Sequence, residues 1–384
     1  MKCNSIIIRY GEIALKGKNR IQFELMLKRD IEDHLRLHHL SFQEILLQKG
    51  RLYIRGIEAS ADLEKILGIH SYSPALEIEH DYDTLLSSIS QFIPMVKGRR
   101  SFRVSCQRVD KRFSPDSLQI ERQVGTEIHE ATHTPVNLEK PEFNVQIEIG
   151  THHIYLFHER ISAWSGFPYG CAGRLVSLIS GGIDSPVATF MLMKRGVEPI
   201  LLHFLINPND SAETEKVVQL KKKLEEYTAG REIKLYFIPR DEVFRGKFSE
   251  IFQSRHHAYV CIICKFLMHR KAAEIIKAEN AFGVITGDNL SQVASQTLPN
   301  LLSQRFLQPY PVYSPLIGME KTEIIALAKR IGTYPLSIAK EKGCTPPENP
   351  KTQVKPERLE AILKEIGLWD QAPRVSSPDP ASQR

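Results

Sequence analysis

The sequence predicts an α/β protein: a doubly wound parallel sheet in its second half, preceded by two smaller α+β units. Three observations carry this. From residue 174 onward, apolar runs of strand length ("RLVSLIS", "PILLHFLI", "IKLYFIP", "FGVITG") alternate with helical patterns over 186–195, 212–227 and 264–278. Before residue 165 that rhythm is missing, and short half-buried strands mix with single amphipathic helices. Between the two lies "SGFPYGCAG", a run of glycines and other breakers that reads as a linker.

Taken in order, "SIIIRY" (5–10) is a short strand. "YGEIALKGKNR" turns through two glycines into a helix over 19–37. Asn19 is its expected N-cap, and Ile21, Phe23, Leu25, Leu27, Ile31 and Leu35 form its apolar side. "EILLQ" and "RLYIRG" are two strands around a Lys49-Gly50 turn, closing a first unit over 1–58. In a second unit over 59–165, "DYDTLLSSISQFI" and "PDSLQIERQVGTEIHEAT" read as helices and "SFRVSC" as a half-buried strand. "FNVQIEIG" and "HIYLFHERI" form a hairpin joined at Thr151-His152. A linker over 166–173 and the parallel-sheet domain over 174–370 follow. The polar tail over 371–384 is expected to be disordered.

A composition of 42% hydrophobic and 25% charged residues is that of a globular protein. No apolar run is long enough to span a membrane. "MKCNSIIIRYGE" has only three consecutive apolar residues before charge, so no secretory signal is expected and the cytoplasm is the expected location. Six cysteines (Cys3, Cys106, Cys171, Cys261, Cys264, Cys344) are too few for a disulfide scaffold of this length; they read as free thiols, metal ligands or catalysts. The net charge of +6 is mild but unevenly spread. Between 97 and 112, Lys97, Arg99, Arg100, Arg103, Arg108, Lys111 and Arg112 face one acid, Asp110. That stretch is either a solvated face or a footprint for a phosphate backbone.

"LISGGIDSPVA" (178–188) sits at a strand end before a helix, where doubly wound sheets bind ligands. Gly181 and Gly182 let backbone amides approach an anion, and Ser180 and Ser185 add hydroxyls. The following helix turns its positive end toward the same place, with Pro186 tolerated in its first turn. The string is neither a Walker A loop nor a G-x-G-x-x-G fingerprint. Asp184 beside phosphates calls for a bridging Mg²⁺. The competing reading is a tight turn with no ligand. Ser-Gly-Gly-x-Asp-Ser resembles the PP-loop of ATP pyrophosphatases, which cleave ATP between the α and β phosphates and adenylate a substrate.

The whole chain up to about Thr352 resembles the tRNA 4-thiouridine synthetases, the tRNA uracil sulfurtransferase or ThiI family. "RYGEIALKGKNR" is similar to the family's N-terminal ferredoxin-like domain. "FRVSCQRVDKRFSPDS" and "VNLEKPEFNVQIEI" are similar to its THUMP domain, an RNA-binding module. "LISGGIDSPVA", "ITGDNLSQVASQT" and "PLIGMEKTEIIALAKRIGTYPLSI" are similar to successive motifs of its PP-loop domain, which is adenine nucleotide alpha hydrolase-like. The family usually has Gly where Ser291 stands and Asp where Glu320 stands, and no rhodanese domain is expected after Cys344. The resemblance implies that ATP adenylates C4 of a uridine near position eight of tRNA, and that sulfur then displaces AMP to give 4-thiouridine. A second family role lies in sulfur transfer for thiamine thiazole synthesis.

Residue by residue, the resemblance implies catalytic roles for Asp184, Lys321 and Cys344. It implies an ATP site of Ser180, Gly181, Gly182, Ile183, Asp184 and Ser185 with His203, Phe204, Lys265, Gly287 and Gln296; Gln292 and Ser295 are further candidates for nucleotide or uridine contact. Lys321 would neutralise charge on the transferring phosphoryl group, although a lysine opening a helix is by itself more often solvent-exposed. Lys16, Lys18 and Arg20 join the seven basic residues of 97–112 as the implied tRNA contacts. A cysteine desulfurase or sulfide is the expected sulfur source, and a homodimer is an expected assembly.

Cys261-x-x-Cys264 and Cys344 leave three readings open. Cys261 and Cys264 are helix fillers and only Cys344 matters; or Cys344 carries a persulfide that a partner thiol resolves; or, as in a subgroup of the family, the three hold a [4Fe-4S] cluster with one open iron. Zinc would need His256 or His257 as a fourth ligand. Cys3, Cys106 and Cys171 are expected to be structural. The rival functions are a PP-loop synthetase acting on a small molecule and a non-catalytic tRNA-binding module.

Overall fold

The computed structural model describes residues 2–48, 50–58, 61–306, 308–339 and 343–369, so Lys49 of the expected turn and the tail over 371–384 lie outside the described residues. It divides into two compact units, Met1–Gly166 and Phe167–Arg384. Among the described residues, no helix is long and apolar enough to cross a membrane.

The first unit is built on one sheet in the order β2-β3-β1-β4-β7-β6-β5, from β1 (Ser5–Tyr10), β2 (Glu44–Gln48), β3 (Arg51–Arg55), β4 (Ile69–Glu79), β5 (Phe102–Arg108), β6 (Phe143–Ile149) and β7 (His153–Phe157); a short β8 (Ile161–Ser162) pairs with β4. The strand absent from the sequence reading is β4. Residues 69–75 of it pair antiparallel with β1, and 76–79 pair antiparallel with β7. Its sequence, "IHSYSPALEIE", hides the period-two signal behind serines and a proline, because Ser71 and Ser73 are buried polar residues. The core under β5–β7 gathers Leu85, Phe92, Ile120, Val124 and Ile128 from the helical segments against Phe102, Val145, Ile147 and Leu156.

The helix Arg20–Leu37 differs from its expected pattern. Asn19 stands at the N-cap position but lies in a preceding 3-10 turn and makes no side-chain cap bond. Ile21 and Leu25 are half or more exposed, and the buried face carries Glu24, Asp30 and His34 beside Leu27, Ile31 and Leu35. Polar partners explain this: Glu24 takes hydrogen bonds from Tyr10 and from Arg20 Nε (2.6 Å), so a carboxylate occupies a position that periodicity reserves for an apolar residue.

The second unit is a five-stranded parallel sheet in the order β11-β10-β9-β12-β13: β9 (Gly173–Leu178), β10 (Val197–Leu205), β11 (Leu235–Pro239), β12 (Val284–Ile285) and β13 (Val312–Tyr313). The chain winds outward from β9 to β11, then returns to start the other half at β12. The crevice between the ends of β9 and β12 is therefore the topological switch point. Val176, Leu202, Phe204, Ala272, Ile276 and Val284 form the core between sheet and helix Val260–Glu279. The segment 167–173 packs on this unit: Phe167 N donates to Lys194 O (3.0 Å), Ala172 N to Gly196 O (2.8 Å), and Tyr169 is 2% exposed.

Candidate active site

The loop after β9 turns on itself through side-chain hydroxyls. Ser180 N donates to Ser185 Oγ (2.8 Å), the two hydroxyls are 3.0 Å apart, and Gly182 N donates to Ser180 Oγ (3.3 Å). Ser337 Oγ fixes the outer turn by donating to Gly182 O (3.2 Å). The next helix, Asp184–Met193, begins two residues earlier than its apolar pattern suggests, so Asp184 lies in the first turn, at the positive end. The loop after β12 presses against the same place. A Cβ on Gly287 would stand 2.8 Å from Ser185 N and 3.0 Å from its Cα, so glycine is what lets the two loops touch.

Asp184 gathers distant residues. Its Oδ1 accepts from Lys321 Nζ (2.5 Å) and its Oδ2 from Gln292 Nε2 (3.2 Å). Lys321 opens the helix Lys321–Ile331, where Glu320 and Glu323 form a reciprocal capping box; Glu320 thus does the work of a shorter N-cap acid. Ser291 holds a left-handed backbone (φ 64°), a conformation that favours glycine.

A cavity of about 340 Å³ runs from Ser180, Gly181 and Gly182 past His203, Phe204 and Ser295 to Arg240, Cys261, Cys264, Lys265 and Cys344. His203 serves as wall: its Nδ1 meets Ile179 O (2.9 Å) and its Nε2 meets Glu213 Oε1 (3.0 Å). Glu213 in turn accepts from Ile206 N (3.1 Å) and pins the strand end. Lys265 Nζ lies 3.8 Å from Asp288 Oδ1, and Asp288, 2% exposed, also accepts from Thr286 Oγ1 (2.8 Å) and Arg305 Nη2 (2.6 Å). Burial alone would raise its carboxyl, but Lys265 and Arg305 outweigh that and hold it at about 2. Gln296 is buried with Oε1 unpartnered, and Ile183 is half-buried.

All six cysteines are free thiols. Burial pushes the Cys261 thiol up and that of Cys264 up to about 12, and the nearby Cys344 adds to both. Cys344 is exposed and accepts from Arg240 Nη1 (3.3 Å). As donors, three thiols on one wall suit an iron–sulfur cluster in kind. Among the described residues, however, no three His, Cys, Asp or Glu side chains converge closely enough to hold a metal ion. The histidines considered for zinc are engaged elsewhere: His256 Nε2 with Glu365 (3.0 Å), His257 with Phe252 O (2.5 Å) and Glu348 N (3.0 Å), and neither lines the cavity.

The basic residues of the first unit divide into two groups. Lys16, Lys18, Lys97, Arg99, Arg100, Lys111 and Arg112 are exposed, although Arg99 and Arg100 meet Glu142 and Arg112 meets Asp110. Arg20 is bound to Glu24 and Tyr10, Arg103 Nη1 to Leu138 O (3.1 Å) and Arg108 Nη1 to Phe113 O (2.5 Å), so these three serve internal contacts. Sequence reasoning missed Glu213, Arg240, Asp288 and Ser337. Of these, only Asp288 gave a signal, as an acid following a strand end much as Asp184 does.

Fold and loop geometry define a PP-loop α/β protein fused to a basic α+β unit. Family models match three stretches: the thiamine biosynthesis protein (ThiI) over 170–368, the ThiI ferredoxin-like domain over 5–73 and the THUMP domain over 84–159. A protein of Thermococcus kodakarensis named "Probable tRNA sulfurtransferase" is 36% identical over 350 residues, covering 88% of this chain and 90% of its own. One of the same name from Methanothermobacter thermautotrophicus is 34% identical, covering 96% and 95%. A 4-thiouridine synthetase, solved as an RNA complex with bound ATP, superposes with a TM-score of 0.83 at 31% identity, covering 97% of this chain and 95% of that one. The chain belongs to the ThiI family of tRNA sulfurtransferases, and the fold expected from its motifs is the fold found.

Proposed function

We propose that this chain is an ATP-dependent tRNA sulfurtransferase that converts a uridine near position eight of tRNA to 4-thiouridine. The observation that carries the reading is a single cavity lined by both the SGG loop and the three thiols. The loop and the helix start behind it receive the triphosphate of ATP. The uridine C4 oxygen attacks the α-phosphorus, the bond to the β-phosphate bridging oxygen breaks, and pyrophosphate leaves. Lys321, held beside Asp184, stabilises the charge that develops on the phosphoryl group. Mg²⁺, for which Asp184 is the fitting carboxylate, supplies further charge neutralisation when bound. A nucleophilic sulfur then bonds to C4, and AMP departs with the former C4 oxygen.

Cys261, Cys264 and Cys344 form the sulfur-handling set. As a persulfide relay, Cys344 would deliver its outer sulfur to C4, and a second thiol would then attack the remaining S–S bond to leave a disulfide. A [4Fe-4S] cluster is the alternative use of the same three thiols: they suit it as donors, would have to draw closer than they stand here to hold it, and the group would supply an iron able to bind sulfide. A cysteine desulfurase would supply the persulfide sulfur of the relay, and sulfide would feed the cluster route. A role in thiamine thiazole synthesis and a homodimer complete the proposal.

The test is pyrophosphate release from ATP and Mg²⁺ with and without unmodified tRNA, with the nucleosides read by mass spectrometry. Release that needs tRNA, with 4-thiouridine after sulfide is added, is expected. Release with no tRNA requirement would point to a small-molecule synthetase, and no release to a binding module. Affinity for tRNA should fall steeply with salt, and removing Lys97 and Lys111 together should lower the slope by about 1.5.

A further inference from the structure

The sheet of the first unit carries a charge arrangement outside the ATP site. Arg9 on β1, Arg51 on β3 and Glu148 on β6 meet on one face, joined by Arg160 just after β7. Arg9 is 6% exposed, yet its Nη1 donates to a neutral group, Ser73 Oγ (2.9 Å), and its Nη2 lies 3.9 Å from Glu148 Oε2. Glu148, 1% exposed, is already committed: its Oε1 accepts from Arg51 Nε (2.8 Å) and Tyr53 OH (2.8 Å). Arg160 is exposed and donates to Ser71 Oγ (3.0 Å), again neutral. The other acid at hand, Glu121, accepts from Cys106 N (2.7 Å).

One buried carboxylate is therefore shared by Arg9 and Arg51, Arg160 meets only a hydroxyl, and all three guanidinium residues line a cavity of about 400 Å³. Burial first, and then repulsion by Arg51 and Arg160 against the pull of Glu148, draws the Arg9 guanidinium down to about 10. A buried guanidinium whose acid stands 3.9 Å away, beyond hydrogen-bond reach, is costly, and a polyvalent oxyanion in the cavity would satisfy it. We propose that Arg9, Arg51 and Arg160 form a second anion site, in the N-terminal unit, for a phosphate-class oxyanion. The shared chemistry has two sources, a free small phosphate or a phosphodiester of bound RNA. The site stands independently of the thiolation reading.

The experiment is calorimetric titration of the full chain with inorganic phosphate while a nonhydrolysable ATP analogue saturates the SGG loop. One further phosphate per chain is expected, bound at least about tenfold more weakly after Arg160→Ala or Arg9→Gln, the effect of losing a charge-assisted hydrogen bond. Arg160 lies at the exposed rim, so Arg160→Ala decides the matter if Arg9→Gln does not fold. No phosphate beyond the analogue site, or equal binding by wild type and Arg160→Ala, overturns the proposal. Unmodified tRNA then separates the sources. An RNA phosphodiester would displace phosphate and lose affinity in both variants, whereas a free anion would bind alongside RNA.

Discussion

The SGG loop and the three thiols line one cavity in the second unit and are built differently. Around the SGG loop the side chains are tied: two serines bond each other, Ser337 holds a carbonyl, and Asp184 behind the loop is clasped by Lys321 and Gln292. At the thiol end, Cys261 and Cys264 sit on a helix with raised thiols, and Cys344 is exposed with Arg240 as its partner. A preorganised anion grip costs no rearrangement when charge develops in the reaction. A thiol set proposed to hand over sulfur has to engage a donor and then a nucleobase; of the three only Cys344 is exposed, while Cys261 and Cys264 are partly buried on their helix. On the proposed reading, activation and sulfur delivery share a chamber and ask different things of its walls.

The sharpest way to break that division is to strip the thiol end. Cys344→Ser, or Cys261→Ala with Cys264→Ala, should bring 4-thiouridine to background while tRNA-dependent pyrophosphate release persists. Full thiolation by the double variant would remove Cys261 and Cys264 from the chemistry. Next in size, Asp184→Asn and Lys321→Met should each lower pyrophosphate release by about 100- to 1,000-fold. Because the two side chains form one pair, the double variant should lose far less than the sum in a steady-state cycle.

A smaller effect tests the contact between the loops. Gly287→Ala places a methyl against the backbone of Ser185 and should cost about 1–3 kcal/mol, read as weaker ATP binding or a lower unfolding midpoint. The smallest concerns the acid under the thiol-end lysine. Asp288 is held near 2 against an ordinary 3.8, so its ion-pair stabilisation is present above about pH 4 and is lost as pH falls through about 2. It amounts to about 2 kcal/mol. Urea unfolding at pH 5, 3 and 2 should show that loss in the wild type and a flatter profile in Asp288→Asn.

What was legible in the sequence was local. The SGG loop, its strand and its helix lie within the single stretch 173–193, and their glycines, hydroxyls and apolar runs announce them. The conformation of Ser291 could not be read, because a serine in a left-handed turn looks like any loop serine. Residues positioned by tertiary contact also stayed hidden: Glu213 acts through His203, Arg240 reaches Cys344 across 104 residues, and Asp288 is fixed by Arg305. The polar buried face of helix Arg20–Leu37 misled for the same reason, since Tyr10 and Arg20 supply what makes Glu24 tolerable there.

Strand β4 spends its first residues on one neighbour and its last on another. A chain cut on either side of it would bare a long row of unsatisfied amides, an invitation to aggregate. Whatever evolution attaches to or trims from this protein, the first 166 residues should therefore melt, express and be inherited as a single piece.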